Sequence, residues 1–124
     1  MPVAAVLLCV ILALLAVFQL ALVFGAPIGR FAWGGQHRVL PARLRIGSAV
    51  SVVIYAVIGA FALDRAEVID VVPDAVSTVA MWIVFGYFVL GIGLNAISRS
   101  RAERVTMVPV CAVLALLSLL VALG

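Results

Sequence analysis

Residues 3–24 read V-A-A-V-L-L-C-V-I-L-A-L-L-A-V-F-Q-L-A-L-V-F, without an acid, a base or a histidine. An apolar run of more than about 18 residues reads as a transmembrane helix. In hydrocarbon no water can satisfy the backbone, so each N–H and C=O must be paired within the segment, which a helix achieves. Three further stretches of the same kind follow, at about 46–63, 75–97 and 105–123, and they too lack ionisable side chains.

Of the 124 residues, 68% are hydrophobic and 10% charged, with a mean hydropathy of +1.41. Soluble domains run near half apolar and a quarter charged. The chain outside the four stretches is too short to build a separate soluble core. The sequence therefore predicts an all-α membrane protein, one domain over residues 1–124, with four transmembrane helices in an antiparallel bundle.

The net charge of +3 comes from eight arginines and five acids, and its placement speaks of orientation rather than of nucleic acid. Arg30, Arg38, Arg43 and Arg45 lie in loop 25–45, and Arg99, Arg101 and Arg104 in loop 98–104. The loop at 64–74 carries only Arg65, among Asp64, Glu67, Asp70 and Asp74. By the positive-inside rule both basic loops are cytoplasmic, and the acidic loop and both termini lie outside. The first stretch is too long for a signal-peptide core, has no basic residue ahead of Val3 and no small-residue cleavage site before Pro27, so it is expected to be retained as a span.

Helix boundaries give an independent count of four. Gly25 and Pro27 end the first helix; Pro41 suits the first turn of the second, with Arg43 and Arg45 on its cytoplasmic turn. Pro73 and Asp74 open the third. Ser100-Arg101-Ala102-Glu103 is a capping box ahead of the fourth, in which Pro109 is tolerated. Cys9 and Cys111 lie at depths differing by roughly 10 Å at 1.5 Å per residue, too far for a disulfide, and read as small apolar residues.

A charged group inside the membrane usually marks an ion or proton path, and the absence of one from all four stretches argues against a proton-coupled exchanger. Tyr55 and Tyr87 fall near mid-span, while Gln19, Ser48, Ser51 and Asn95 fall in the cytoplasmic third. Gln19, Ser51, Tyr55, Tyr87 and Asn95 are thus candidates to line a polar cavity; the plainer reading is helix-to-helix hydrogen bonding. Gly47, Ser51, Ala56 and Ala60 in the second span and Gly86, Gly91 and Gly93 in the third favour close packing, which predicts that these two spans form the centre of the bundle.

The most individual segment is G-A-P-I-G-R-F-A-W-G-G-Q-H-R-V-L-P-A-R-L-R, residues 25–45. Its glycines and prolines specify turns, and Phe31 and Trp33 are expected as interfacial anchors among basic groups. Such a segment either lies at the membrane surface or folds back under the bundle. Arg30, Trp33, Arg38, Arg43, Arg45, Arg99, Arg101 and Arg104 are the candidate site for an anionic lipid headgroup or a partner protein, because guanidinium forks suit phosphate and carboxylate; the alternative is that the arginines only set topology. His37 stands alone, so neither a metal nor another cofactor is expected.

Residues 25–48, together with S-R-S-R-A-E-R-V-T-M-V-P-V at 98–110, resemble small four-helix integral membrane proteins of bacteria, actinobacteria in particular, a group with no assigned activity. The resemblance implies a bacterial inner-membrane protein and transfers no site residue. The expected function is non-enzymatic: binding of anionic lipid, or of a partner protein, through the Arg-rich face, as a single chain or a homo-oligomer. The alternative is a small-solute or ion transporter with a polar path between spans one to three. An enzyme would have to rely on Glu103 and His37, the only suitable groups on that side.

Overall fold

The computed structural model describes residues 2–124. Four long helices account for most of the chain: α1 (Pro2–Val23), α2 (Ala42–Arg65), α3 (Asp74–Ala96) and α4 (Arg101–Leu123). Each is long and apolar enough to cross a membrane, and the protein is a multi-pass membrane protein built as an all-α four-helix bundle. Two single-turn 3-10 segments, Gly29–Phe31 and Trp33–Gly35, interrupt the connection between α1 and α2.

The ends of the helices follow from local chemistry. Gly25, at φ 90°, takes the left-handed conformation beyond the end of α1, and the Ala26 N–H returns to the Ala21 carbonyl. Pro41 is the residue before α2 rather than its first turn, with an extended ψ of 163°. Pro73 likewise precedes α3, whose first turn carries Asp74. Pro109 lies within α4, which stays continuous around it.

The bundle is two hairpins, α1 with α2 and α3 with α4, laid against each other. Each hairpin has a cysteine seated on a glycine of its partner helix. The Cys9 Sγ lies 3.5 Å from where a Cβ on Gly59 would stand, and the Cys111 Sγ 3.3 Å from the same point on Gly91. Such close approach matters because lipid tails are as apolar as leucine, so helices associate through van der Waals contact rather than through exclusion of water. Both cysteines are free thiols.

The sequence expectation that the second and third spans form the centre is not met. Every helix flanks two others, and α4 carries the most buried residues. A Cβ at Gly86 or Gly93 would meet nothing within 4 Å. Small-residue spacing marks where a helix can be approached closely, not whether that face meets protein or lipid.

The core is unevenly distributed along the bundle axis. Ala4, Ala5, Leu8 and Leu12 of α1 pack with Ile58 and Ala62 of α2, Met81, Val84 and Phe88 of α3, and Leu114, Leu117 and Val121 of α4. These residues fill the half nearer the acidic 64–74 loop. That end is also closed by polar bonds: the Asp64 Oδ2, in a residue only 3% exposed, accepts the N–H groups of Val71 (2.7 Å) and Val72 (2.9 Å). Arg65 donates to the Ala122 carbonyl at the end of α4 (3.0 Å), the favoured place for a cation on a helix dipole. The one arginine outside the basic loops is therefore a helix cap.

Hydrogen bonds to a charged acceptor contribute about 1.5–3 kcal/mol each. Replacing Asp64 with Ala is therefore expected to lower stability by about 3 kcal/mol, measured by reversible unfolding in mixed micelles. A loss below about 1 kcal/mol would mean that Asp64 does not hold this connection.

Candidate functional site

The half of the bundle nearer the basic loops is packed differently. Here the hairpins border a partly open cavity of about 420 Å³, lined by Leu15, Phe18 and Gln19 of α1, Tyr55 of α2, the end of α3 from Tyr87 to Asn95 with Ile97 and Ser98 beyond it, and Glu103, Met107, Val110, Cys111 and Leu114 of α4. Its end wall is the first loop, through Phe31, Ala32, Trp33 and Gly34.

Gln19, Tyr55, Tyr87 and Asn95 are brought together around this space. The Gln19 Nε2 donates to the Tyr55 hydroxyl at 3.3 Å, while the Gln19 Oε1 is buried with no partner. Exchanging the two ends of the amide would leave the nitrogen unpaired instead. Asn95 donates to the Gly91 carbonyl (2.7 Å) and to the Cys111 sulfur (3.5 Å). Ser51 is not part of the lining; its hydroxyl returns to the Gly47 carbonyl of its own helix at 3.1 Å.

The loop is folded under the bundle, not spread on the surface. The Trp33 indole N–H donates to the Ser48 hydroxyl at 3.0 Å, and the ring lies over Gly47, where a Cβ would approach its Cζ2 and Cη2 to 2.7 Å. Trp33 takes φ 53°, followed by Gly34 at 77° and Gly35 at 71°. A non-glycine residue in that region costs on the order of 1 kcal/mol and persists only where its surroundings impose it. Trp33, 43% exposed, is thus held in the end wall of the cavity and is not only an interfacial anchor. A small apolar cluster, Leu22, Ala32 and Leu40 with Phe18, Ile28 and Leu44 against it, seats the loop beneath α1 and α2.

Two bonds fasten the loop to the start of α4. The Ser100 hydroxyl donates to the Arg30 carbonyl (2.5 Å), and the Glu103 Oε2 accepts the Gly34 N–H (3.3 Å). The capping box is thus half formed. Ser100 accepts the Glu103 N–H at 3.3 Å, but the Ser100 N–H goes to the Ser98 hydroxyl at 3.2 Å, and the Glu103 carboxylate is spent on the loop. Glu103 is 6% exposed. The sequence points to Glu103 as a cap but contains no signal for this second use.

The arginines divide into two groups. Arg45 donates to the Leu40 carbonyl at 2.8 Å, and Arg104 to the Ser98 carbonyl at 2.7 Å; both are half-buried and hold backbone. Arg30, Arg38, Arg43, Arg99 and Arg101 are exposed, with the Arg30 guanidinium 4.8 Å from the centroid of the Phe31 ring. Because residues 30–34 are bonded to Ser100 and Glu103, the two basic loops lie at one end of the bundle. Glu103 is the only carboxylate at that end, and it faces the loop. Among the described residues no cluster of His, Cys, Asp or Glu could hold a metal ion.

In comparisons with known proteins, no family model, no curated protein and no solved structure matches the chain.

Proposed function

We propose that this protein binds anionic lipid headgroups at its basic end and works by binding rather than by catalysis. One observation carries the reading. The Ser100–Arg30 and Glu103–Gly34 bonds tie the two arginine-bearing segments together at one end of the bundle, where Arg30, Arg38, Arg43, Arg99 and Arg101 are exposed. Guanidinium groups pair with phosphate oxygens in a bidentate manner, and each basic residue near an anionic leaflet is worth about 1 kcal/mol. The basic end is cytoplasmic in this reading, and the membrane is the inner membrane of a bacterium. A second membrane protein with an acidic surface is the other partner class that such a cap suits.

The test is native mass spectrometry of the protein released from nanodiscs containing phosphatidylglycerol and phosphatidylcholine. The wild type is expected to retain phosphatidylglycerol. Replacing Arg30, Arg38, Arg43, Arg99 and Arg101 with Gln should lower retention at least tenfold. Equal retention by a variant that keeps its topology would overturn the proposal.

The alternative of a transport path draws on the gathering of Gln19, Tyr55, Tyr87 and Asn95 around one cavity. The close-packed acidic half of the bundle favours a blind pocket over a through-path.

A further inference from the structure

The cavity runs from the first loop to the middle of the bundle and is bordered on one side by exposed residues of the third helix. Toward the basic end the first loop forms a wall, with the Trp33 ring over Gly47 and the Gly34 N–H on the Glu103 carboxylate. Toward the acidic end lies the packed core. Leu90 and Leu94 of α3, and Ile97 just beyond its end, line the cavity while being 60%, 58% and 77% exposed. In a membrane-spanning helix that exposed face meets hydrocarbon. Leu90 and Leu94 therefore give the cavity a route from the bilayer, open to an occupant dissolved in the membrane.

The lining selects the chemistry of the occupant. A hydrogen-bonding head has ready partners: Gln19, Tyr55, Tyr87 and Asn95 stand in the same wall. An anionic head is disfavoured, because the one charged group of the wall is the Glu103 carboxylate and no arginine belongs to it. The Glu103 carboxylate is taken up by the Gly34 N–H, so the groups left to a ligand head are the amides and phenols. An uncharged head with donor and acceptor oxygens matches the amide and phenol groups of the wall without a charge penalty.

We infer that this cavity is a binding site for an uncharged, hydroxyl-bearing membrane lipid, with its head beside Gln19, Tyr55, Tyr87 and Asn95 and its hydrocarbon chain leaving along Leu90, Leu94 and Ile97. Monoacylglycerols and prenyl alcohols share this chemistry. The cavity shares the first loop and the Glu103–Gly34 bond with the arginine cap, but no arginine side chain lines it, so the two readings are tested by different variants.

The test uses the full-length protein in phosphatidylcholine nanodiscs and a monoacylglycerol probe with a diazirine in its acyl chain. Photolabelling is expected to be saturable and to map to α3 near Leu90, Leu94 and Ile97. Excess monooleoylglycerol or geranylgeraniol should displace the probe, the stronger competitor identifying the source class, and octadecane should not. A Gln19→Leu/Asn95→Leu variant should lose at least tenfold of the saturable labelling. An Arg30→Gln/Arg38→Gln variant should label normally even if it has lost phosphatidylglycerol. Three results would overturn the inference: labelling that does not saturate, equal labelling of α3 by a diazirine fatty acid, or displacement by octadecane. The competition is performed on the wild type, so the inference remains falsifiable even if the double variant does not fold.

Discussion

Replacing Gly47 with Leu is expected to open the cavity to water at the basic end. A Cβ at this position would come within 2.7 Å of the Trp33 ring, closer than carbon atoms approach, and the rest of a leucine side chain would add to the overlap. The helix gains from the change, since glycine is the poorer helix former by about 1 kcal/mol, so Trp33 is the group that moves. Little opposes its departure: the hydrogen bond to Ser48 is worth about 1 kcal/mol, and leaving the left-handed conformation returns a similar amount. Once the ring is displaced, Cys111 in the cavity wall is reachable from the basic side. In a Cys9→Ser background, a membrane-impermeant maleimide is expected to label Cys111 at least tenfold faster in the Gly47→Leu protein than in its parent. Equal rates would mean that Trp33 does not seal the cavity.

This expectation rests on a contact that the sequence does not announce. The four spans themselves are legible, because hydropathy and helix caps act over a few residues. Expected limits of 3–24 and 75–97 compare with helices at Pro2–Val23 and Asp74–Ala96. The second and fourth helices begin earlier than the apolar runs, at Ala42 and Arg101. Arg43 and Arg45, like Arg101 and Arg104, occupy first turns that hydropathy scores as loop.

Facing is harder to read. In a soluble helix the polar stripe marks the outside, whereas in a bilayer both the core and the lipid are apolar, so residues such as Gly86 and Gly93 look the same in either place. Polar residues in the spans carry more information. Gln19, Tyr55, Tyr87 and Asn95 stand out against an apolar background and meet around one cavity. Ser51 differs because a hydroxyl four residues beyond a carbonyl can satisfy itself within its own helix. The roles of Trp33 and Glu103 escape sequence reading for a further reason. Each depends on a partner distant in the chain, Ser48 for the one and Gly34 for the other, and no local rule couples such positions.

Replacing Gly29 with Ala is expected to dismantle the arginine cap while leaving every arginine in place. Gly29 is buried, and its N–H donates to the Arg38 carbonyl at 2.9 Å. An added methyl group would fall on the carbonyl oxygens of both His37 and Arg38. Those atoms belong to the backbone and cannot rotate aside as a side chain would, so residues 29 and 38 must separate. Overpacking of this kind costs about 1–3 kcal/mol. The spans should survive it, because their main core lies in the opposite half of the bundle, and the response is local opening of the loop. Trypsin added on the basic side is expected to cleave after Arg30 or Arg38 at least tenfold faster than in the wild type, with the four helices still protected. Phosphatidylglycerol retention should fall with it. Charge alone predicts no change, since the formal charge stays at +3; retention that persists in a loop shown by trypsin to be open would mean that the arginines act as a diffuse positive field rather than as a built site.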